Sequence, residues 1–191
     1  MGLDIHISTD KDKEVYSIDF YENEKDLRYK MSLSREFCNL MCRQHVSTGT
    51  PEFDQIAQLV NIDIAPILEM EKYWDEESTE QQIFLGETEE ERQKIASKIQ
   101  SERDSLKGNI DRVLQTINNL IDKLSGIEML NKKIKVYGND TIGIDYYFSN
   151  FEVDKGEGYI RNNFGQDLRN FQRFLKYAKS KGAATVYFNY G

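Results

Sequence analysis

The alternation of residues near the two ends of the chain offers the first material for chemistry. Leu3, Ile5 and Ile7 alternate with Asp4, His6 and Ser8, and after the polar run Thr9 to Glu14 turns the chain the pattern resumes with Tyr16, Ile18 and Phe20, which reads as a hairpin. Toward the other end Ile142, Ile144, Tyr146 and Phe148 alternate, and Val186, Phe188 and Tyr190 do the same. A strand sends successive side chains to opposite faces, so burial of the apolar set would leave Asp4, His6, Asp19, Asp145, Tyr147, Tyr187 and Asn189 on the other side. A histidine among carboxylates holds its proton more tightly and can serve as acid, base or ligand. An ordinary antiparallel sheet with one wet face has the same pattern.

Two further groups have suggestive spacing. The loop from Asp154 to Gln166 carries Arg161, whose guanidinium can fork onto a carboxylate or phosphate, next to a helix start with free N–H groups. Tyr159 and Phe164 could wall such a site by stacking. Asp4, His6, Asp19, Asp145, Tyr147 and Arg161 together would make a small-ligand or nucleotide site, with hydrolysis as one use. Cys38, Cys42 and His45 lie at i, i+4 and i+7, on one helical face, three ligands for zinc if a fourth arrived from elsewhere. With Leu40 and Met41 beside them they read instead as a plain core helix. No metal or cofactor is expected on this reading, and no residue is singled out as catalytic. The nucleophile elbow, the H-E-x-x-H pair and the phosphate-binding lysine loop are all missing. Gly156-Glu157-Gly158-Tyr159-Ile160-Arg161 opens like a dinucleotide fingerprint, but Arg161 replaces the third glycine; Asp10 and Asp12 echo a calcium loop in which Val15 replaces the required glycine.

The elements that would position these groups follow from periodicity. Ser34 caps a helix predicted through Val46; Thr50-Pro51 opens a second carrying Phe53, Ile56, Leu59 and Val60; Pro66 opens a third with Ile67, Leu68, Met70 and Tyr73. Thr88 to Glu91 has the form of a capping box, and no proline follows before the stop at Gly126. Leu106, Ile110, Val113, Ile117, Leu120 and Leu124 recur at steps of four and three, widened by Leu114 and Ile121, so this half is predicted to be buried and the half before it exposed. A straight helix of that length would outrun the body, so it either projects or kinks, with Gly108 the expected weak point. Strands are predicted around Ile134 and Val136, and again over 142–148 and 183–190, with a helix between the last two burying Leu168, Phe171, Phe174, Leu175 and Ala178. The expected fold is α+β: one mainly antiparallel sheet from N- and C-terminal strands, with a long helical hairpin inserted between them. The 191 residues read as a single domain, within which 66–126 form an acidic arm.

Charge sharpens that picture. The net charge is −8, yet between Glu69 and Glu91 ten acids face Lys72 alone, a local charge of −9. Glu76, Glu77, Glu80, Glu89, Glu90 and Glu91 are the candidates to meet a partner. Such a field repels phosphate backbones and attracts basic protein surfaces, so direct nucleic-acid binding is not expected; the same carboxylates also read as a plain solvated helical face, or as an imitation of nucleic acid. The absence of a long apolar run argues against a membrane partner, and the polar start MGLDIHISTD together with only two cysteines points to the cytoplasm.

Met1-Gly2-Leu3-Asp4-Ile5, Ser34-Arg35-Glu36-Phe37-Cys38 and Phe53-Asp54-Gln55-Ile56 resemble small uncharacterised bacterial and bacteriophage proteins that open with MGLD. The resemblance implies a phage or mobile-element accessory protein and carries no catalytic residue with it. The function expected first is therefore non-catalytic docking of a basic protein through the acidic arm. The alternative is the small-ligand or nucleotide site, and self-assembly through the long helix is a further expectation. The residues do not decide between binding and catalysis.

Overall fold

The computed structural model describes residues 4–17, 20, 29–46, 49–136 and 144–190, with the backbone only at 46, 144 and 145. The first described elements are β1 (Ile5–Thr9) and a single helical turn, α1 (Asp12–Val15). Helices α2 (Arg35–Val46), α3 (Glu52–Val60) and α4 (Ala65–Leu68) follow, the last running into a 3₁₀ turn over Glu69–Lys72. Then come α5 (Glu76–Phe84), α6 (Glu89–Leu106), α7 (Ile110–Leu124), α8 (Leu130–Lys133), α9 (Ile144–Tyr147), α10 (Phe164–Ser180) and β2 (Val186–Tyr190). The fold is α+β, with helices filling the interval between an N-terminal and a C-terminal strand. The strands pair antiparallel, Ile5 opposite Tyr190 through Thr9 opposite Val186.

The core follows the predicted stripes. On α10, Leu168, Phe171, Phe174, Leu175 and Ala178 are all buried; on α7, Ile110, Val113, Ile117, Leu120 and Leu124 are buried with Leu114 and Ile121 packed at the margin. These two helices pack together, and Ile5, Ile7, Val186 and Phe188 close the same core from the sheet. Ser34 caps α2, accepting from the Phe37 N–H at 3.3 Å. Pro51 is the N-cap of α3 rather than its first residue. Between α2 and α3 the Arg43 guanidinium grips Glu52, with Nε 2.9 Å from each carboxylate oxygen and both side chains buried.

The long helix is broken where glycine stands. Lys107 leaves the helical region, Gly108 has φ of +71°, and Asn109 starts α7. That left-handed step suits a residue without Cβ.

Three strand expectations fail. The run after Thr9 makes α1 instead of a hairpin turn, because Asp12 Oδ1 accepts from Thr9 N–H at 2.6 Å and from its hydroxyl at 3.0 Å, winding the chain into a helical turn. Ile134 and Val136 lie in irregular chain among the described residues. Residues 144–147 are helical, because Tyr147, Phe148 and Phe151 gather around Phe164 as aromatic neighbours, with ring centroids 5.8, 5.4 and 6.3 Å away. Gly165 makes room for this: a Cβ there would lie 1.9 Å from the Phe151 carbonyl oxygen.

Candidate functional site

Helices α5 and α6 form an antiparallel hairpin through the turn at Leu85–Thr88. Asp75 caps α5 by accepting from Ser78 N–H at 2.6 Å, and that bond holds its carboxyl below the usual range. The capping box on α6 is complete: Thr88 Oγ1 accepts from Glu91 N–H, and the Glu91 carboxylate accepts from Thr88 N–H at 3.1 Å. Arg92 Nε closes the turn on the Gly86 carbonyl at 3.0 Å, and a Cβ at Gly86 would lie 2.8 Å from Arg92 Cγ. At the base, Trp74 Nε1 donates to Glu102 at 2.8 Å, while Arg103 donates to the Trp74 carbonyl and to Thr79 and lies 5.5 Å from the Tyr73 ring centre.

The hairpin stands apart from the core. No residue of α5 is buried, α6 buries only Ile99 and Leu106, and neither belongs to the connected core cluster. Glu76, Glu77, Glu80, Glu89, Glu90 and Glu91 are all exposed, as is Glu87. Between them, Phe84 is 81% exposed and Leu85 68%. This apolar pair was not foreseen; the signal was the Ile83-Phe84-Leu85 run set against a glycine within an otherwise polar segment.

The polar constellation drawn around His6 does not assemble as expected. Asp4 pairs with Arg35, Oδ1 to Nε at 2.9 Å, and His6 lies exposed opposite Asn189. Both line a cavity of about 490 Å³ that Tyr159 also borders. Tyr147 is displaced from it: fully buried on α9, it belongs to the core and to no sheet face, because its ring packs on Phe164 and its hydroxyl finds Asp167. Asp145 lies on the same helix, which removes it from a strand; its side chain, like Asp19, lies outside the described residues. Arg161 is exposed with φ of +61°, its carbonyl accepting from the Tyr146 hydroxyl, and it does not border the cavity. Phe164 is buried and offers no stacking wall.

Cys38, Cys42 and His45 are not drawn to a common centre. Cys38 is buried, and its thiol is pushed up to about 12 by desolvation and by Cys42 beside it, far from a thiolate. His45 turns outward to Glu71, Nε2 to Oε2 at 3.1 Å, and the Tyr190 hydroxyl donates to the other oxygen of Glu71. Among the described residues no three His, Cys, Asp or Glu side chains converge as a metal site.

A buried carboxylate escaped the sequence reading. Asp167, on the first turns of α10, is fully buried, with Oδ1 accepting from Ser34 N–H at 3.0 Å and Asn162 Nδ2 at 2.7 Å, and Oδ2 accepting from the Tyr147 hydroxyl at 2.9 Å and from the Ser34 hydroxyl. Desolvation outweighs those donors and raises its carboxyl to about 7. The signal was present: Phe164, Asp167, Leu168 and Phe171 share one face, so an acid stood on an apolar stripe.

Compared with protein-family models, curated proteins and solved structures, the chain matches none. Among the described residues no helix is long and apolar enough to cross a membrane.

Proposed function

We propose that this protein is a non-catalytic interaction protein whose α5–α6 arm docks on a basic protein surface. The observation that carries the reading is the exposed Phe84–Leu85 pair at the turn of a hairpin whose surface bears Glu76, Glu77, Glu80, Glu87, Glu89, Glu90 and Glu91. Apolar side chains with no place in the core, rimmed by charge, have the composition of a recognition surface: the apolar centre supplies holding energy, the charged rim supplies association rate and partner choice. The matching partner presents an apolar socket edged by lysine and arginine.

The experiment is a pull-down with the full chain, wild type against a variant with Glu76, Glu77, Glu80, Glu89, Glu90 and Glu91 all changed to Gln, and against Phe84→Ser. A partner held through the arm is released by rising salt and is lost from both variants. A partner retained at equal yield by both variants removes the proposal.

A further inference from the structure

The two strands expose unlike edges. Asp10 N–H donates to the Thr185 carbonyl at 3.1 Å, continuing the β1–β2 register. In an antiparallel ladder bonded positions alternate, so His6 and Ser8 face β2 while Ile5, Ile7 and Thr9 turn their backbone groups to the opposite side. Thr9 N–H is taken by Asp12 and the Ile7 carbonyl by the Tyr16 hydroxyl. Among the described residues nothing bonds to the N–H and C=O of Ile5 or to the N–H of Ile7 on that side. The far edge of β2, by contrast, is closed: Asn109 accepts from Val186 N–H and donates to its carbonyl, each at 2.8 Å, and the 3₁₀ turn packs against the strand.

The cavity of about 490 Å³ runs along this open edge, bordered by every residue from Asp4 to Ser8. Phe20, Met31, Leu33 and Phe174 give it an apolar lining, and Tyr29 and Tyr159, each nearly half exposed, stand at its rim. Both tyrosines are held from behind. Asn170 Nδ2 donates to the Tyr29 and Ser32 carbonyls at 3.1 and 2.7 Å, and Asn162 bonds both the N–H and the C=O of Gly158, next to Tyr159. Gly158 itself backs onto Tyr29 so closely that a Cβ would lie 2.6 Å from the Tyr29 carbonyl oxygen, and its φ is +102°. A rim fixed in this way needs little ordering when something binds.

We infer that the open edge of β1 takes an extended peptide segment of a partner protein as a third strand, with alternate apolar side chains entering the cavity and a lysine or arginine beside them. Unpaired N–H and C=O groups at strand spacing are matched by another strand, the recognition mode in which backbone bonds give affinity and pockets for alternate side chains give selectivity. The cation follows from charge: the described lining holds Asp4, which Arg35 meets from outside the lining, and Asp12, whose Oδ1 accepts from Thr9, and it holds no lysine or arginine. This surface is separate from the arm and stands or falls without it.

The test is nuclear magnetic resonance on the ¹⁵N-labelled full chain with the blocked peptide Lys-Val-Thr-Val-Thr-Val-Lys as probe. The Ile5 and Ile7 amide signals shift, and their exchange with deuterium slows. N-methylating the edge-facing amides of the probe weakens it about tenfold, as loss of a desolvated backbone bond does. Tyr159→Ala weakens the probe while the melting temperature holds, and the six-glutamine arm variant binds it as wild type does. Unmoved Ile5 and Ile7 signals at the solubility limit of the probe overturn the inference, as does an N-methylated probe that binds equally. Amides already protected in the free protein also overturn it. Protection independent of protein concentration then means an edge filled by this chain, and protection that grows with concentration means a second copy.

Discussion

Asp167 shows how far one side chain can depart from its surroundings in sequence. Its carboxyl, raised to about 7 in the folded protein against 3.8 for an ordinary aspartate, keeps a proton that the unfolded chain has already lost. The folded state therefore binds more protons between those values, and stability from this group is full below pH 4 and falls as pH rises toward 7. Calorimetry from pH 4 to 7 should show wild-type melting temperature declining relative to Asp167→Asn, with the difference levelling above pH 7. A flat difference would mean the carboxylate is already ionised at the lower end. Arg43 and Glu52 offer the opposite case, a charge pair satisfied in place. Arg43→Met strands a buried carboxylate and should cost about 3–5 kcal/mol in urea unfolding, while the joint change with Glu52→Leu should recover much of it. Neither group could be ranked from sequence, since an acid on an apolar stripe is read as an interruption until the donors from Ser34, Tyr147 and Asn162, far apart in the chain, are seen to meet it.

At the level of elements, what could be read in advance was what depends on neighbours three or four residues away. The stripes of α7 and α10, the Ser34 cap, the Thr88–Glu91 box and the break at Gly108 are all local signals, and all are present. Period-two alternation served less well. Tyr146, Tyr147 and Phe148 carry apolar bulk at adjacent positions, and their place was settled by Phe164 and by the room at Gly165, not by spacing. The candidate site divides the same way: the exposed glutamates of the arm follow from local pattern, whereas the cavity beside β1 needs the distant strand β2 and the tyrosine rim. Two changes probe the local devices. Thr88→Ala removes a cap worth about 1 kcal/mol, so hydrogen exchange should quicken at Glu89 to Arg92 while the global melting temperature scarcely moves, because that turn lies outside the core. Gly108→Ala puts a Cβ on a left-handed backbone in open space, and should destabilise by about 1 kcal/mol in denaturant through backbone strain alone.

The whole molecule separates what holds it together from what it presents. The connected core runs from β1 through α2, α3, α7 and α10 to β2, and the α5–α6 arm contributes nothing to it. Replacing all six of Glu76, Glu77, Glu80, Glu89, Glu90 and Glu91 by Gln should leave the melting temperature equal or slightly higher, since mutual repulsion among the carboxylates falls. A large drop would tie the arm to the stability of the body. The pairing of Ile5 with Tyr190 has a consequence of another kind. During vectorial synthesis β1 leaves the ribosome long before residues 186–190 exist, so the nascent polypeptide carries a partnerless strand while everything between the two is being made. Helices between them can form as they emerge, but the sheet closes only after them, and until then a chaperone would find its hydrophobic handle in Ile5 and Ile7.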